Sequence, residues 1–203
     1  FRRADVGAIT GNPRIRNRSS LLGRLQVGEF SSIVGLIKRA QTAYGTLFTV
    51  SGVIAGFRRR ALADAGWWSS HTLTDDIDVT WRIQMAGWRV TYAPSVLVWI
   101  LMPETLTGLW KQRVRWAEGG VQMMLDYFRP MILFRQPRLI LIYVNYVFSV
   151  IWSFAILLGV MLMVAHWLGW QSPLVAAGVS LLPSWWGAVL AVTYLVQAAV
   201  SHL

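Results

Sequence analysis

Three carboxylates, Asp75, Asp76 and Asp78, fall within four positions of a chain that holds nine acidic residues against 19 lysines and arginines. Adjacent carboxylates repel, so one of Asp75 and Asp76 should hold its proton more tightly than usual, which suits a general base. Asp76 is the candidate for that role. Asp75 is open between a substrate contact and a helix-dipole role. Asp78 reads as structural, because Arg82 follows at i,i+4. A metal pair Asp76-x-Asp78 is a further alternative, resting only on a two-carboxylate spacing. Cysteine is absent, which removes disulfide frameworks and thiolate metal sites.

A second set of residues lies in LTGLWKQRVRWAEGGVQMMLDYF, residues 106–128. At about 100° per residue, Gln112, Arg115, Trp116 and Gly119 share one ridge of a helix. Leu106, Trp110, Val114, Ala117, Val121, Leu125 and Phe128 share the opposite face. A guanidinium makes bidentate, charge-assisted hydrogen bonds to a diphosphate. An indole offers a flat apolar surface to a sugar ring. The competing readings are a membrane-interface anchor for Trp116 and a headgroup-binding patch for the arginines.

The elements that must position these groups alternate between strand and helix, which predicts an α/β architecture. DVGAIT (5–10) reads as a strand closed by a turn at Gly11-Asn12-Pro13. Arg14, Arg16 and Arg18 suit an exposed extended segment. A helix follows from Ser19, with Leu22, Leu25, Phe30, Ile33, Val34 and Ile37 as its apolar stripe and Lys38-Arg39 in its last turn. LFTVSGVIAGFRR (47–59) reads as a β-branched strand interrupted by Gly52 and Gly56. Thr74 is an expected N-cap for a helix over about 75–86, with Gly87 just past its end and a strand at 88–94.

The C-terminal third is of another kind. Arg138 is the last residue with a formal charge, and 139–203 contains none. Mean hydropathy is +0.47 and the net charge is +10. Residues 139–165 are long enough to span a bilayer as a helix. Asn145 and Ser149 are its main polar interruptions, and Trp167 and Trp170 suit an interface belt. A second apolar run, 174–200, is interrupted by Pro183. Arg129, Arg135 and Arg138 precede the first span, so the positive-inside rule places residues 1–138 in the cytoplasm. No signal peptide is visible, and the start at Phe1 reads as the interior of a longer protein.

The order Thr74-Asp75-Asp76, then Gln112-Arg113-Val114-Arg115-Trp116, then apolar spans resembles the processive family-2 glycosyltransferases, the cellulose, chitin, hyaluronan and poly-N-acetylglucosamine synthases. Their signature is T-E-D followed by Q-x-x-R-W, and this chain has T-D-D. VSGVIAGFRR, TDDIDVTWRIQMAGWRVTYAP and WILMPETLTGLWKQRVRWAEGG look most like the bacterial poly-β-1,6-N-acetylglucosamine synthases. The resemblance implies an α/β, GT-A-type glycosyltransferase domain, of which 1–105 would be the C-terminal half. An amphipathic interface helix at 106–138 and transmembrane α-helices over 139–203, about two, would follow.

The resemblance also implies a chemistry. It makes Asp76 the base that deprotonates the acceptor hydroxyl. It makes Asp75, Gln112 and Arg115 substrate contacts, the last two on the donor diphosphate. Trp116 would lie under the acceptor sugar, and Ser51-Gly52 would be a loop beside it. The reaction would be inverting transfer of N-acetylglucosamine from UDP-GlcNAc to a growing polysaccharide, in a multi-pass protein of the bacterial inner membrane. Mg2+ or Mn2+ is expected, with ligands upstream of this chain, which by itself would then be inactive. A small membrane subunit is an expected partner. The rivals are a non-processive lipid-linked sugar transferase, which the intact Q-x-x-R-W opposes, and a transporter or scaffold, which leaves the acidic triplet without a reason. The pI near 11.0 raises nucleic-acid binding. Basic residues scattered beside apolar spans fit anionic lipid better, so no nucleic-acid partner is expected.

Overall fold

A computed structural model describes residue 1, residues 3–133, residues 137–170 and residue 173. The expectations for 174–200, for Pro183 and for Arg135 lie outside these residues. The chain divides into a compact unit over Phe1–Tyr143 and another that begins at Val144.

The first unit is built on a three-stranded sheet. Its strands are β1 (Val6–Ile15), β2 (Ala55–Phe57) and β3 (Arg89–Ile100), in the order β2-β1-β3. β1 pairs parallel with β3 and antiparallel with β2. The mixed sheet with helices between its strands bears out the α/β expectation. The turn at Gly11-Asn12-Pro13 does not form. β1 runs straight through it, and the disturbance appears in β3, where the register jumps from Thr10↔Tyr92 to Asn12↔Leu97. Residues 93–96 loop out of the pairing around Pro94, which has no N–H for a ladder. Asn12 Nδ2 donates to Pro94 O at 3.2 Å and holds the excursion closed.

The expected strand over 47–59 shrinks to β2 and an isolated bridge between Ser51 and Ile54. Side chains take the place of a neighbouring strand. Leu47 N–H donates to Gln84 Oε1 and Gln84 Nε2 returns to Leu47 O, both at 2.8 Å. Phe48 N–H donates to Gln41 Oε1, and Trp81 Nε1 donates to Phe48 O. Val50 N–H donates to Thr80 Oγ1 and Ser51 N–H to Thr10 Oγ1. With its backbone groups satisfied in this way, the segment needs no sheet partner.

Helix α1 (Leu21–Phe30) starts at Ser20, whose hydroxyl accepts from Gly23 N–H. It passes into a π-helical turn, Ser31–Ile37, and then into α2 (Lys38–Ala43). The predicted apolar stripe is wrong in detail. Leu25 and Ile37 are exposed, while Gly23, Gln26 and Lys38 are buried. Gln26 is held by Pro103 O and Leu22 O, and the π turn breaks the 3.6-residue period on which the stripe was projected.

Short α3 (Arg59–Asp64) leads to α4 (Asp75–Met85), which carries the acidic triplet. Gly87 follows α4 at φ +88°, a left-handed conformation that favours glycine. α5 (Leu106–Asp126) is capped by Thr105, and α6 (Phe128–Ile132) is brief. Ala8, Leu47, Val50, Ala61, Val79, Ile83 and Val90 form the core between sheet and helices. Trp81, fully buried, meets Phe48, Tyr127 and Tyr143 edge-on. α7 (Pro137–Trp167) contains a stretch, Leu139–Trp167, long and apolar enough to cross a membrane. It is the single such helix among the described residues.

Candidate active site

Asp76 sits in the first turn of α4, half-buried. Its Oδ1 accepts the N–H of Ile77. Burial, joined by the neighbouring charge of Asp75, pushes its carboxyl above the usual carboxylate range, against Lys38 and the backbone donors, which pull it down. Facing it is the loop after Val50. Asp76 Oδ2 lies 3.7 Å from where an added Cβ on Gly52 would sit. The loop and α4 are stitched together, because Thr80 Oγ1 accepts from Val50 N–H and donates to Asp76 O. Ser51 is tied in turn to β1 through Thr10. The structure thus brings Asp76, Ser51 and Gly52 into one place.

The other two carboxylates are occupied. Asp75 Oδ2 accepts from Trp68 Nε1 at 3.0 Å. Asp78 is buried; Arg82 Nε donates to its Oδ2 at 2.8 Å and Tyr127 hydroxyl to its Oδ1 at 2.7 Å. Arg82 also donates to the carbonyls of Ala65 and Trp67, which fastens the loop ahead of α4. Asp78 is therefore a structural anchor, and the i,i+4 pairing read from the sequence is present. Tyr127 ionises only far above its ordinary range, through burial and the Asp78 carboxylate. Among the described residues no three His, Cys, Asp or Glu side chains converge as a metal site. Asp78 is committed to Arg82 and Tyr127, and among the described residues no third His, Cys, Asp or Glu joins Asp76 and Asp78 as a ligand set.

Thr74 is the N-cap position of α4, but its hydroxyl makes no capping bond and is buried without a partner among the described residues. Its work is packing. Gly119 of α5 is buried, and a Cβ there would meet Thr74 Cγ2 at 2.5 Å. This contact sets α5 directly against the start of α4. Gln122 of the same helix accepts Leu73 N–H at 3.1 Å.

On α5 most of the predicted apolar face is exposed, and the opposite ridge is mixed, with Arg115 exposed and Gly119 buried. Leu106, Trp110, Val121 and Leu125 point outward, as does Phe128 at the start of α6, with Trp110 70% exposed. Gly119, Gly120 and Met123 are buried. Gln112 Oε1 is buried with no partner among the described residues. Trp116 is half-buried, and the Arg113 guanidinium lies over its ring at 4.7 Å while pairing with Glu29. Arg115 is exposed, and among the described residues it shares no hydrogen bond or ion pair with Asp76.

Sequence reasoning missed Lys38, Thr10, Thr80 and Trp68. The threonines act through single hydroxyl–backbone bonds across the fold, for which a linear sequence has no signal. Lys38 reads from the sequence as a last-turn residue, and the burial of a lysine there has no signal in the local pattern.

The sequence profile described as "Glycosyl transferase family group 2" matches residues 1–200. Poly-beta-1,6-N-acetyl-D-glucosamine synthase of Staphylococcus aureus (strain COL) is 47% identical over 154 residues, covering 75% of this chain and 37% of that protein. The protein of the same name from Staphylococcus epidermidis is 44% identical over 152 residues, with the same coverage. This chain therefore spans 37% of the length of these relatives. Among solved structures, a mannosyltransferase from Pyrobaculum calidifontis, in complex with GDP-Man and Mn2+, aligns over 98% of this chain and 54% of its own, at 22% identity and TM-score 0.47. On the profile match, which takes in nearly its whole length, the chain belongs to glycosyl transferase family group 2.

Proposed function

We propose that this chain is the acceptor-side part of a membrane-bound polysaccharide synthase, one that transfers N-acetylglucosamine from UDP-GlcNAc with inversion to a growing poly-β-1,6-N-acetylglucosamine chain. The observation that carries the reading is Asp76, a half-buried carboxylate of raised basicity lying 3.7 Å from the open side of Gly52. In a family-2 glycosyltransferase, that is a fitting place for an acceptor hydroxyl.

The acceptor oxygen attacks the anomeric carbon as its proton passes to Asp76. The bond from that carbon to the diphosphate oxygen breaks, and UDP departs with the electron pair. Arg115 and Gln112 steady the departing diphosphate, a role that the exposed guanidinium and the unpartnered buried amide oxygen leave open to them. The Gln112 amide reaches the phosphate through its NH2 group, its oxygen accepting from the nucleotide or acceptor. Trp116 is the platform under the acceptor sugar, with Ser51-Gly52 as the opposing wall. Asp75 orients the loop at Trp68 and reinforces the basicity of Asp76.

The outward apolar face of α5 suits a helix lying in a membrane interface, and the Leu139–Trp167 stretch suits a span. We keep the division into 1–105, 106–138 and 139–203, a bacterial plasma-membrane location with 1–138 cytoplasmic, and a small membrane subunit as parts of the proposal. Sequence outside this chain is proposed to supply the uridine pocket and the Mg2+ or Mn2+ ligands.

The test is incorporation of labelled sugar by membranes containing the full-length protein. UDP-GlcNAc should give a long polymer degraded by a β-1,6-N-acetylglucosaminidase. Transfer of a single sugar to lipid would favour the non-processive alternative, and a preference for another nucleotide sugar would refute the donor assignment.

A further inference from the structure

Glu29 is the only acidic residue between Asp5 and Asp64, and the chemistry above gives it no part. It lies near the end of α1, and its Oε2 accepts from Nη2 of Arg113 on α5, 84 residues further along the chain. The Arg113 and Glu29 side chains are 30% and 37% exposed, so the pair is partly withdrawn from water. A hydrogen bond between guanidinium and carboxylate is stronger than a neutral one. Of Lys111, Arg113 and Arg115, Arg113 alone enters an ion pair among the described residues.

That arginine has a second contact. Its guanidinium lies over the Trp116 ring, 4.7 Å from the centroid, at the i,i+3 spacing that makes helical neighbours. A guanidinium stacks well on an aromatic face. With one face covered, a sugar has the other to stack on. Glu29 itself reaches from a fixed base. Gln26, one turn earlier on α1, is buried and donates to Pro103 O at 2.9 Å, just ahead of the Thr105 cap of α5. Before α1, Asn17 Nδ2 donates to Met102 O at 2.7 Å, and Met102 N–H returns to Asn17 Oδ1 at 2.9 Å. α1 is thus fastened to the segment that leads into α5.

We propose that Glu29 is a positioning residue for acceptor binding: through Arg113 it holds the Trp116 indole in one orientation and keeps that guanidinium from the donor diphosphate. The proposal rests on Trp116 being the acceptor platform. Arg113 stands two residues from Arg115, beside the proposed diphosphate contacts, and phosphate oxygens are strong acceptors for a guanidinium. Pairing with Glu29 neutralises Arg113 and commits it to the indole. Without the carboxylate, the arginine turns to the diphosphate and the indole loses its support.

The experiment uses the purified full-length enzyme in detergent. It measures elongation of a β-1,6-N-acetylglucosamine oligosaccharide and, without acceptor, hydrolysis of UDP-GlcNAc. The variants are Glu29→Gln, Arg113→Met, Trp116→Ala and Glu29→Gln combined with Trp116→Ala. Glu29→Gln should raise the KM for the oligosaccharide roughly 3- to 10-fold without slowing hydrolysis or raising the KM for UDP-GlcNAc. Arg113→Met removes the same cation and should act alike. Once Trp116 is alanine, Glu29→Gln should change the ratio of elongation to hydrolysis no further, because the ring it positions is gone. A merely structural ion pair would lower both activities together, or would add its full effect to that of Trp116→Ala, and either result overturns the proposal. If Glu29→Gln does not fold, Arg113→Met and its combination with Trp116→Ala decide by the same criteria. A selective Trp116→Ala with an unselective Glu29→Gln removes only the role of Glu29. A Trp116→Ala that lowers both activities equally removes the platform and, with it, the proposal.

Discussion

Gly119→Ala tests how α5 is seated against α4. The new methyl carbon would lie 2.5 Å from Thr74 Cγ2, 2.7 Å from its Oγ1 and 3.0 Å from its Cβ. Carbon atoms rest at about 3.5–4.0 Å, so the contact is short by roughly 1 Å. Rotating the threonine relieves it only in part, because Cβ, fixed by the backbone, stays at 3.0 Å, a tight contact that must ease by a few tenths of an ångström. The helices must separate, at a cost of about 1–3 kcal/mol for overpacking. They would carry Gln112, Arg115 and Trp116 away from Asp76, and a misplacement of about 1 Å can lower a rate about 10²-fold. The assay pairs thermal unfolding of the detergent-solubilised full-length enzyme with UDP release from UDP-GlcNAc. Thr74→Ala is the partner variant. It removes both atoms of closest approach, and the hydroxyl it deletes has no hydrogen bond to lose. Gly119→Ala alone should be destabilised and slow, and the double variant should regain most of both losses. A single variant with wild-type stability and rate, or a double variant no better than the single, would refute this packing argument.

Asp78→Ala leaves Arg82 and the Tyr127 hydroxyl without their shared acceptor and should cost roughly 3–5 kcal/mol of stability, read by denaturant unfolding, while Asp78→Asn should be milder. Trp116→Ala should slow chain elongation more than hydrolysis of UDP-GlcNAc; an equal fall in both would make the indole a structural anchor. Asp76 carries a stability signature as well. Its folded-state pKa is raised, so the native state binds more protons than the unfolded chain between the unfolded value, about 4, and the folded one. Stability is lost as pH rises through that window, so Asp76→Asn should melt higher than wild type at neutral pH and converge with it in acid. An unchanged difference across that range would contradict the desolvation of Asp76.

Much of the site was legible because it is written in local spacing. The i,i+4 relation of Asp78 and Arg82 and the i,i+3,i+4,i+7 ridge of Gln112, Arg115, Trp116 and Gly119 follow from helix geometry alone. α4 lies close to where Thr74 and Gly87 placed it, and α5 close to where its helical spacing did. The failures are at positions where tertiary partners replaced local rules. The 47–54 segment looked like a strand because it is β-branched, yet Gln84, Gln41, Thr80 and Thr10 satisfy its backbone. Gly11-Asn12-Pro13 looked like a turn, but Pro13 lies within β1, and the irregularity it shares with Pro94 was absorbed by the longer β3. Thr74 looked like a cap and is a packing surface for Gly119. Lys38 is buried, which a lysine near a helix end gives no local sign of.

The central claim is that Asp76 takes the proton from the acceptor. It is tested most directly by comparing donor binding and sugar transfer in full-length Asp76→Asn, which keeps the side chain's shape and removes its basicity. UDP-GlcNAc affinity, measured calorimetrically, should stay within a few-fold of wild type. Transfer should fall by about 10²–10⁴-fold, the usual worth of a general base. Retention of more than about a tenth of the wild-type rate with affinity unchanged would contradict the account, because a base worth less than tenfold falls below that usual range.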